Sequence, residues 1–286
     1  MTGTRAIGSG FGRVFRQPRL IVAEIAWRWT LGAALLALGA FAAIELLDSI
    51  VVVGGDPVAG LLSQSARLAA ILIAGAAFLS IAAAAGGRCA TLPLLFRQLP
   101  AQPRFRALAG NAFLRAALML AGALAMMTAC LLAADAAGKA RQYFAGWFLL
   151  AFVPAAALVV FCWLMVHWCL SIAPLFSVAR KSDTLSAITG AVGLLRQRPA
   201  ALLLIALAFC VFHVMLGGSA FVVAFGMLGS LAPWSRGAAL AAAAAVALGY
   251  FALADCLRLV RMGAYAAVLE DESSQLDCSP DGIQAN

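Results

Sequence analysis

Charge is scarce in this chain: Asp, Glu, Lys and Arg make up 11% of its residues, whereas a water-soluble domain averages about 25%. Such a chain cannot cover a surface that faces water, so a soluble fold is excluded and lipid must be the solvent for most of it. Chemical motifs are missing as well. No HExxH, GxSxG, Walker A or GxGxxG pattern occurs in a supporting context, so hydrolase and nucleotide chemistry have no carrier, and no catalytic residue, metal site or cofactor is expected. The seven cysteines (Cys89, Cys130, Cys162, Cys169, Cys210, Cys256 and Cys278) include no CxxC pair. Most fall in apolar runs, where cysteine behaves as a small hydrophobe, so a disulfide framework is not expected. The net charge of +8 comes without a basic cluster or interleaved stacking aromatics, which argues against nucleic acid as a partner. A cleaved signal peptide is not expected either. Roughly 28 residues precede the first apolar run, far more than a typical n-region, and the remaining chain is equally apolar.

Apolar residues dominate instead, at 64%, with a mean hydropathy of +0.99. A bilayer core about 30 Å thick needs roughly 20 apolar residues as helix. Six stretches qualify, at 18–47, 68–85, 107–134, 144–172, 199–231 and 237–260. The expected fold class is therefore all-α: a polytopic membrane helical bundle of about six transmembrane helices in one domain, residues 1–269. Short amphipathic interfacial helices are expected on its cytoplasmic side. The acidic tail, residues 270–286, is expected to be disordered.

Sixteen of the twenty basic residues fall before span one, between spans two and three, between four and five, and after six. Such a bias in short loops places both termini in the cytoplasm, and the even span count agrees. The expected location is a bacterial cytoplasmic membrane. Anionic lipid headgroups on the cytoplasmic face are the natural partners, with other membrane proteins as further candidates. Arg13, Arg16, Arg97, Arg104, Arg106, Arg180, Lys181, Arg196 and Arg198 are the residues expected at that headgroup level.

Three cytoplasmic segments share a pattern: Val14-Phe15-Arg16-Gln17-Pro18, Leu95-Phe96-Arg97-Gln98 and Leu195-Arg196-Gln197-Arg198-Pro199. They suggest three hairpin units, each an interfacial helix followed by two spans. Before the last, Leu185, Ile188, Val192 and Leu195 form an apolar stripe, with Ser182 or Asp183 as N-cap. Phe11, Val14 and Phe15 sketch a shorter one. Such helices would lie in the interface, apolar face down. Proline at the first helical position allows a sharp entry into the membrane.

Charges inside spans are functional candidates, because burying them in hydrocarbon is costly. Glu24 and Arg28 are four apart in the order that favours an ion pair. Glu45, Asp48 and Asp56 are read as meeting water at the outer interface. Asp255, Arg258 and Arg261 are expected to pair within their own helix, and Asn111 and Arg115 to snorkel. His167 and His213 lie about 12 and 21 Å from the cytoplasmic ends of their spans, an offset that favours separate interhelical hydrogen bonds over a shared metal site. Gly217-Gly218 interrupts span five and Pro154 span four. If the protein transports a solute, Gly217, Gly218, His213 and His167 are the candidate path.

The stretch Ser171-Ile-Ala-Pro-Leu-Phe-Ser-Val-Ala-Arg180, with Thr184 to Ile188, Leu194 to Pro199, Tyr250 to Ala254 and Arg261 to Tyr265, resembles a broad group of poorly characterised bacterial six-span proteins. That group includes the membrane domain fused to some glycerophosphodiester phosphodiesterases. The resemblance implies a bacterial cytoplasmic-membrane protein. The phosphodiesterase barrel is not in this sequence, so no activity and no functional residue carries over. The expected function is a non-enzymatic accessory or scaffold role with lipid contact; the alternative is a small-solute transporter or permease with a kinked fifth span.

Overall fold

In the computed structural model, residues 1–52, 64–96, 103–139, 144–231 and 235–277 are described. The order is α1 (Gly3–Phe15), α2 (Pro18–Trp27), a π turn (Arg28–Gly32), α3 (Ala33–Val52), α4 (Gln64–Thr91) and a 3-10 turn (Leu92–Leu95). Then follow α5 (Phe105–Lys139), α6 (Phe144–Ala179), α7 (Thr184–Gln197), α8 (Pro199–Leu231) and α9 (Arg236–Asp277). No strand occurs among the described residues. Six helical stretches are long and apolar enough to cross a bilayer, beginning at Pro18, Arg67, Phe105, Ala145, Pro199 and Arg236. The chain is thus an integral membrane protein with six spans among the described residues, each beginning within two residues of where hydropathy places it.

The spans pair as three antiparallel hairpins, α3 with α4, α5 with α6, and α8 with α9. Between hairpins the contacts are sparser: α4 on α5, α2 on α9, and α6 on α9. Over much of their length the spans turn apolar side chains outward, such as Phe78, Leu150 and Phe221. That is the expected outcome in lipid, where apolar side chains gain nothing by hiding from a solvent as apolar as they are. The dense core lies at one end only, here termed the basic end. Val14, Leu20, Ala85, Leu92, Leu108, Phe176, Leu194, Leu202, Phe209, Val260 and Tyr265 meet there, from every helix except α3.

Two proline turns open hairpins at this end in the same way. Gln17 (φ −128°, ψ 71°) precedes Pro18, and Arg198 (φ −129°, ψ 49°) precedes Pro199. A residue before proline is pushed out of the helical region, which breaks α1 from α2 and α7 from α8. Each proline then sits at the first helical position, where its missing N–H costs nothing. The second unit differs, since the 3-10 turn stands where an interfacial helix was expected. Arg97, which belongs to that unit, lies outside the described residues.

The two short helices bury small residues, and of the expected apolar stripes Val14 is fully buried while Phe11, Ile188 and Leu195 are partly buried against the core. In α7, Ala187, Ala191 and Leu194 are buried, while Leu185 is 71% exposed and Ile188, Val192 and Leu195 are half-buried. Asp183 is its N-cap. In α1, Gly3, Ala6, Gly10 and Val14 are buried, and α1 lies on α9 and α8, not on the span that follows it. A side chain at Gly10 would meet the Val260 carbonyl oxygen at 2.5 Å and the Ala264 nitrogen at 2.8 Å. Glycine at Gly10 is what lets the two backbones come this close.

The last span continues past its expected end. Helix α9 reaches Asp277, and Leu259 to Glu270 is almost wholly buried apart from half-buried Arg261. Part of the acidic tail is therefore helical and used: Glu270 accepts from Arg13 at 2.6 Å and Asp271 from Arg198 at 3.0 Å. Residues 278–286 lie outside the described residues.

Candidate functional site: an arginine chamber at the basic end

Arginine makes up eighteen of the twenty basic residues. The guanidinium stays charged in proteins, so an arginine inside the membrane cannot escape its desolvation cost by losing a proton. Five of them converge where the three hairpins meet: Arg28 from the π turn, Arg88 from α4, Arg115 from α5, and Arg258 and Arg261 from α9. Arg115 lies within coulombic range of the other four.

Arg28 has the fullest set of partners. Its Nε donates to Glu24 at 2.7 Å, the ion pair expected from the spacing, and its Nη1 donates to Asp255 at 2.7 Å. Trp29 Nε1 also donates to Asp255, at 3.4 Å. Consecutive residues of a regular helix point in well-separated directions. The wider π turn brings both toward one carboxylate, and such turns often mark functional positions. Trp27 closes the arrangement by donating to Glu24 at 2.9 Å, its indole packed on Gly87 of α4. Asp255 is therefore bound across hairpins, a correction to the expected pairing with Arg258 and Arg261 in its own helix. Those neighbours lie along α9, but the Arg28 guanidinium and the Trp29 indole reach the carboxylate first.

Arg115 does not snorkel either. Its Nε and Nη2 both donate to the Leu170 carbonyl, at 3.1 and 2.8 Å. Pro174 lies four residues further along α6 and has no N–H to offer that carbonyl. Inside a membrane an unpaired carbonyl is costly, so the arginine takes the place of the missing helix bond. Asn111, one turn before, is fully buried and donates to Ser177 at 3.2 Å. Together they fasten α5 to α6.

The other three arginines have no such partners. Arg88, Arg258 and Arg261 make no ion pair or hydrogen bond among the described residues, and Arg88 Nη1 and Arg261 Nε are buried without an acceptor. They line connected hollows. One of about 240 Å³ is bounded by His167, Ser171, His213, Asp255, Arg258 and Arg261. A second, about 330 Å³ and set between α4 and α5, shares His167 and Arg258 and adds Ser80, Arg88 and Arg115.

Both histidines thus line one hollow, although their expected depths favoured separate settings. The reason is the length of α6: it runs on to Ala179, so His167 is about 18 Å from the basic end of its helix and His213 about 21 Å from its own. His213 Nδ1 lies 2.8 Å from the Phe209 carbonyl, which can only accept, so this nitrogen is the donor. His167 stacks on Trp163, with centroids 5.0 Å apart. Among the described residues no three His, Cys, Asp or Glu side chains converge as a metal site would require.

The remaining candidates fall elsewhere. Gly217 and Gly218 lie in unbroken helix, and the hollow beside Gly217 is walled by Ala220, Phe221, Ala224, Val246 and Tyr250, so it is almost wholly apolar. Pro154 is likewise inside unbroken helix. Arg16, Arg104, Arg106, Arg180, Lys181 and Arg196 are exposed at the basic end. Arg198 is half-buried against Asp271, and Arg13 is 7% exposed, its guanidinium taken up by Glu270 and, at 2.8 Å, by the Leu95 carbonyl. The side chains of Glu45, Asp48 and Asp56 lie outside the described ones.

Sequence reasoning treated these arginines one helix at a time. Pro174 was the signal for Arg115, because a proline within a span leaves a carbonyl that needs a donor. Nothing in the sequence indicated that Arg88, Arg258 and Arg261 line adjoining hollows. No protein-family model matches the chain, and neither a curated protein nor a solved structure matches it.

Proposed function

We propose that this six-span protein is a non-enzymatic binding or accessory protein that holds an anionic ligand in the arginine chamber. The proposal places it in a bacterial cytoplasmic membrane, with the basic end and both termini on the cytoplasmic side, on the strength of the positive-inside bias. One observation carries the reading: Arg88, Arg258 and Arg261 make no ion pair or hydrogen bond among the described residues, and they line two adjoining hollows whose one carboxylate, Asp255, is already held by Arg28 and Trp29. Five arginines against Glu24 and Asp255 leave a formal excess of three positive charges, taking the histidines as neutral. Removing uncompensated ions from water costs several kcal/mol each, so such a site favours whatever neutralises it. Guanidinium forks suit carboxylate and phosphate oxygens best, through paired charge-assisted hydrogen bonds. Both carboxylates are already occupied by Arg28 and by tryptophan N–H groups, which supports binding rather than turnover.

The test is thermal unfolding of the delipidated protein in an uncharged detergent, with inorganic phosphate or pyrophosphate against chloride at equal ionic strength. A ligand at a hundred times its Kd stabilises by about 2.7 kcal/mol, which moves Tm by several degrees. Arg88→Gln and Arg258→Gln should lose that gain, yet unfold at or above the wild-type temperature without ligand, because a like-charge repulsion is removed. Equal unfolding in phosphate, pyrophosphate and chloride would falsify the reading.

A further inference from the structure

We infer that the anion in the chamber is the head of a single membrane lipid, a phosphomonoester or diphosphate lipid drawn from the leaflet at the basic end. The inference rests on the anion-binding reading above and adds the ligand's class and its route. The hollow between α4 and α5 changes character along its length. Arg88, Arg115, Arg258 and His167 form one end, and Ala77, Ile81, Ala116 and Met119 the other. Small side chains on the facing spans leave a gap that neither helix fills, a lateral opening where a lipid can enter without crossing water.

That apolar end does not stop at Met119. The same methionine borders a further groove of about 240 Å³ between α5 and α6, with Gly122, Ala123, Met126, Val160 and Trp163. Gly122 forms its floor, and the Trp163 ring lies 3.0 Å from where a side chain would begin. Methionines suit a flexible chain, because their side chains repack around irregular shapes. Helix α5 starts at the basic end, so the path from Arg115 past Met119 to Met126 leads away from it, over about 16 Å of helix. A lipid of the adjacent leaflet lies the same way round, phosphate toward the basic end and chain toward the midplane. Neither a soluble anion nor an uncharged lipid would use both parts.

Charge narrows the head. A phosphodiester such as phosphatidylglycerol brings one negative charge to an excess of three. A phosphomonoester brings about 1.5 to 2 at pH 7, with three acceptor oxygens for the guanidinium forks. Zwitterionic heads would add a cation beside the arginines.

The experiment uses the full chain, delipidated in an uncharged detergent and mixed with dioleoyl phosphatidate, dioleoyl phosphatidylglycerol or dioleoylglycerol. Lipid retention is read by native mass spectrometry and stability by thermal unfolding. One phosphatidate per chain should be retained, at least ten-fold more tightly than phosphatidylglycerol, with no retention of dioleoylglycerol. Arg258→Gln should weaken phosphatidate at least ten-fold. Gly122→Phe, which plugs the groove, should lose the lipid while keeping the stabilisation by inorganic phosphate, and that response also reports that the variant is folded. Should Gly122→Phe fail to fold, Ala123→Phe serves in its place. The inference is overturned if phosphatidylglycerol binds as well as phosphatidate. It is equally overturned if phosphate stabilises the wild type but phosphatidate is not retained, or if the plugged variant binds lipid normally; the first of these would leave soluble-anion binding standing.

Discussion

At the scale of single residues, the chamber depends on which polar groups the membrane leaves unsatisfied. Arg115 is the clearest case, because its carbonyl acceptor exists only through Pro174. The two should be coupled. Arg115→Leu should destabilise the wild type, since the Leu170 carbonyl is then left in an apolar setting at a cost of about 1–3 kcal/mol. In a Pro174→Ala background the helix supplies its own N–H, and the same substitution should cost less by at least 0.5 kcal/mol, roughly the smallest coupling such cycles resolve. Equal costs in the two backgrounds, measured by denaturant titration in detergent, would show that Arg115 does not act through this carbonyl. The ion pair of Glu24 with Arg28 was legible four residues apart. The partner of Asp255 was not, because it comes from a helix more than 200 residues away.

At the scale of elements, the short helices are tied by close backbone packing more than by apolar stripes. Helix α1 crosses α9 where Gly10 faces Val260 and Ala264, backbone atoms that cannot step aside as a flexible side chain would. Gly10→Ala should therefore lower stability by about 1–3 kcal/mol, the usual cost of overpacking. The loss should appear first at α1, as faster amide exchange over residues 3–15 while the spans stay protected. Gly12→Ala, which has open space around the new methyl, is the control and should be neutral or slightly stabilising. If both substitutions behave alike, close packing at Gly10 is not what holds α1. Hydropathy located the starts of the spans to within two residues. It missed the inward extensions of the second, fourth and sixth spans, because Leu92, Leu95, Leu175, Phe176 and Tyr265 there face protein and not lipid.

At the scale of the whole molecule, one end is a packed core and the rest is three hairpins in lipid. The proposed orientation makes the basic end cytoplasmic. Single cysteines in a background lacking the native ones should be labelled by a membrane-impermeant thiol reagent from the cytoplasm at Arg104 and Lys181. Cysteines at Asp56, Arg141 and Trp234 should be labelled from the opposite side. A site labelled from the wrong side would break the proposed topology.

Six spans, their alternation and the positive bias of one side follow from composition and spacing alone, because lipid demands long apolar helices and basic residues resist crossing it. The scarcity of charge also made each in-span arginine conspicuous, and local spacing assigned most of them an ordinary explanation. Only the tertiary structure removed those explanations. It gave Asp255 to Arg28, gave Arg115 to a carbonyl freed by proline, and left Arg88, Arg258 and Arg261 along two adjoining hollows that share His167 and Arg258. The physical reason is that a span's own sequence specifies its depth and its polar face, whereas the charge balance of a site is a sum over helices that only packing brings together.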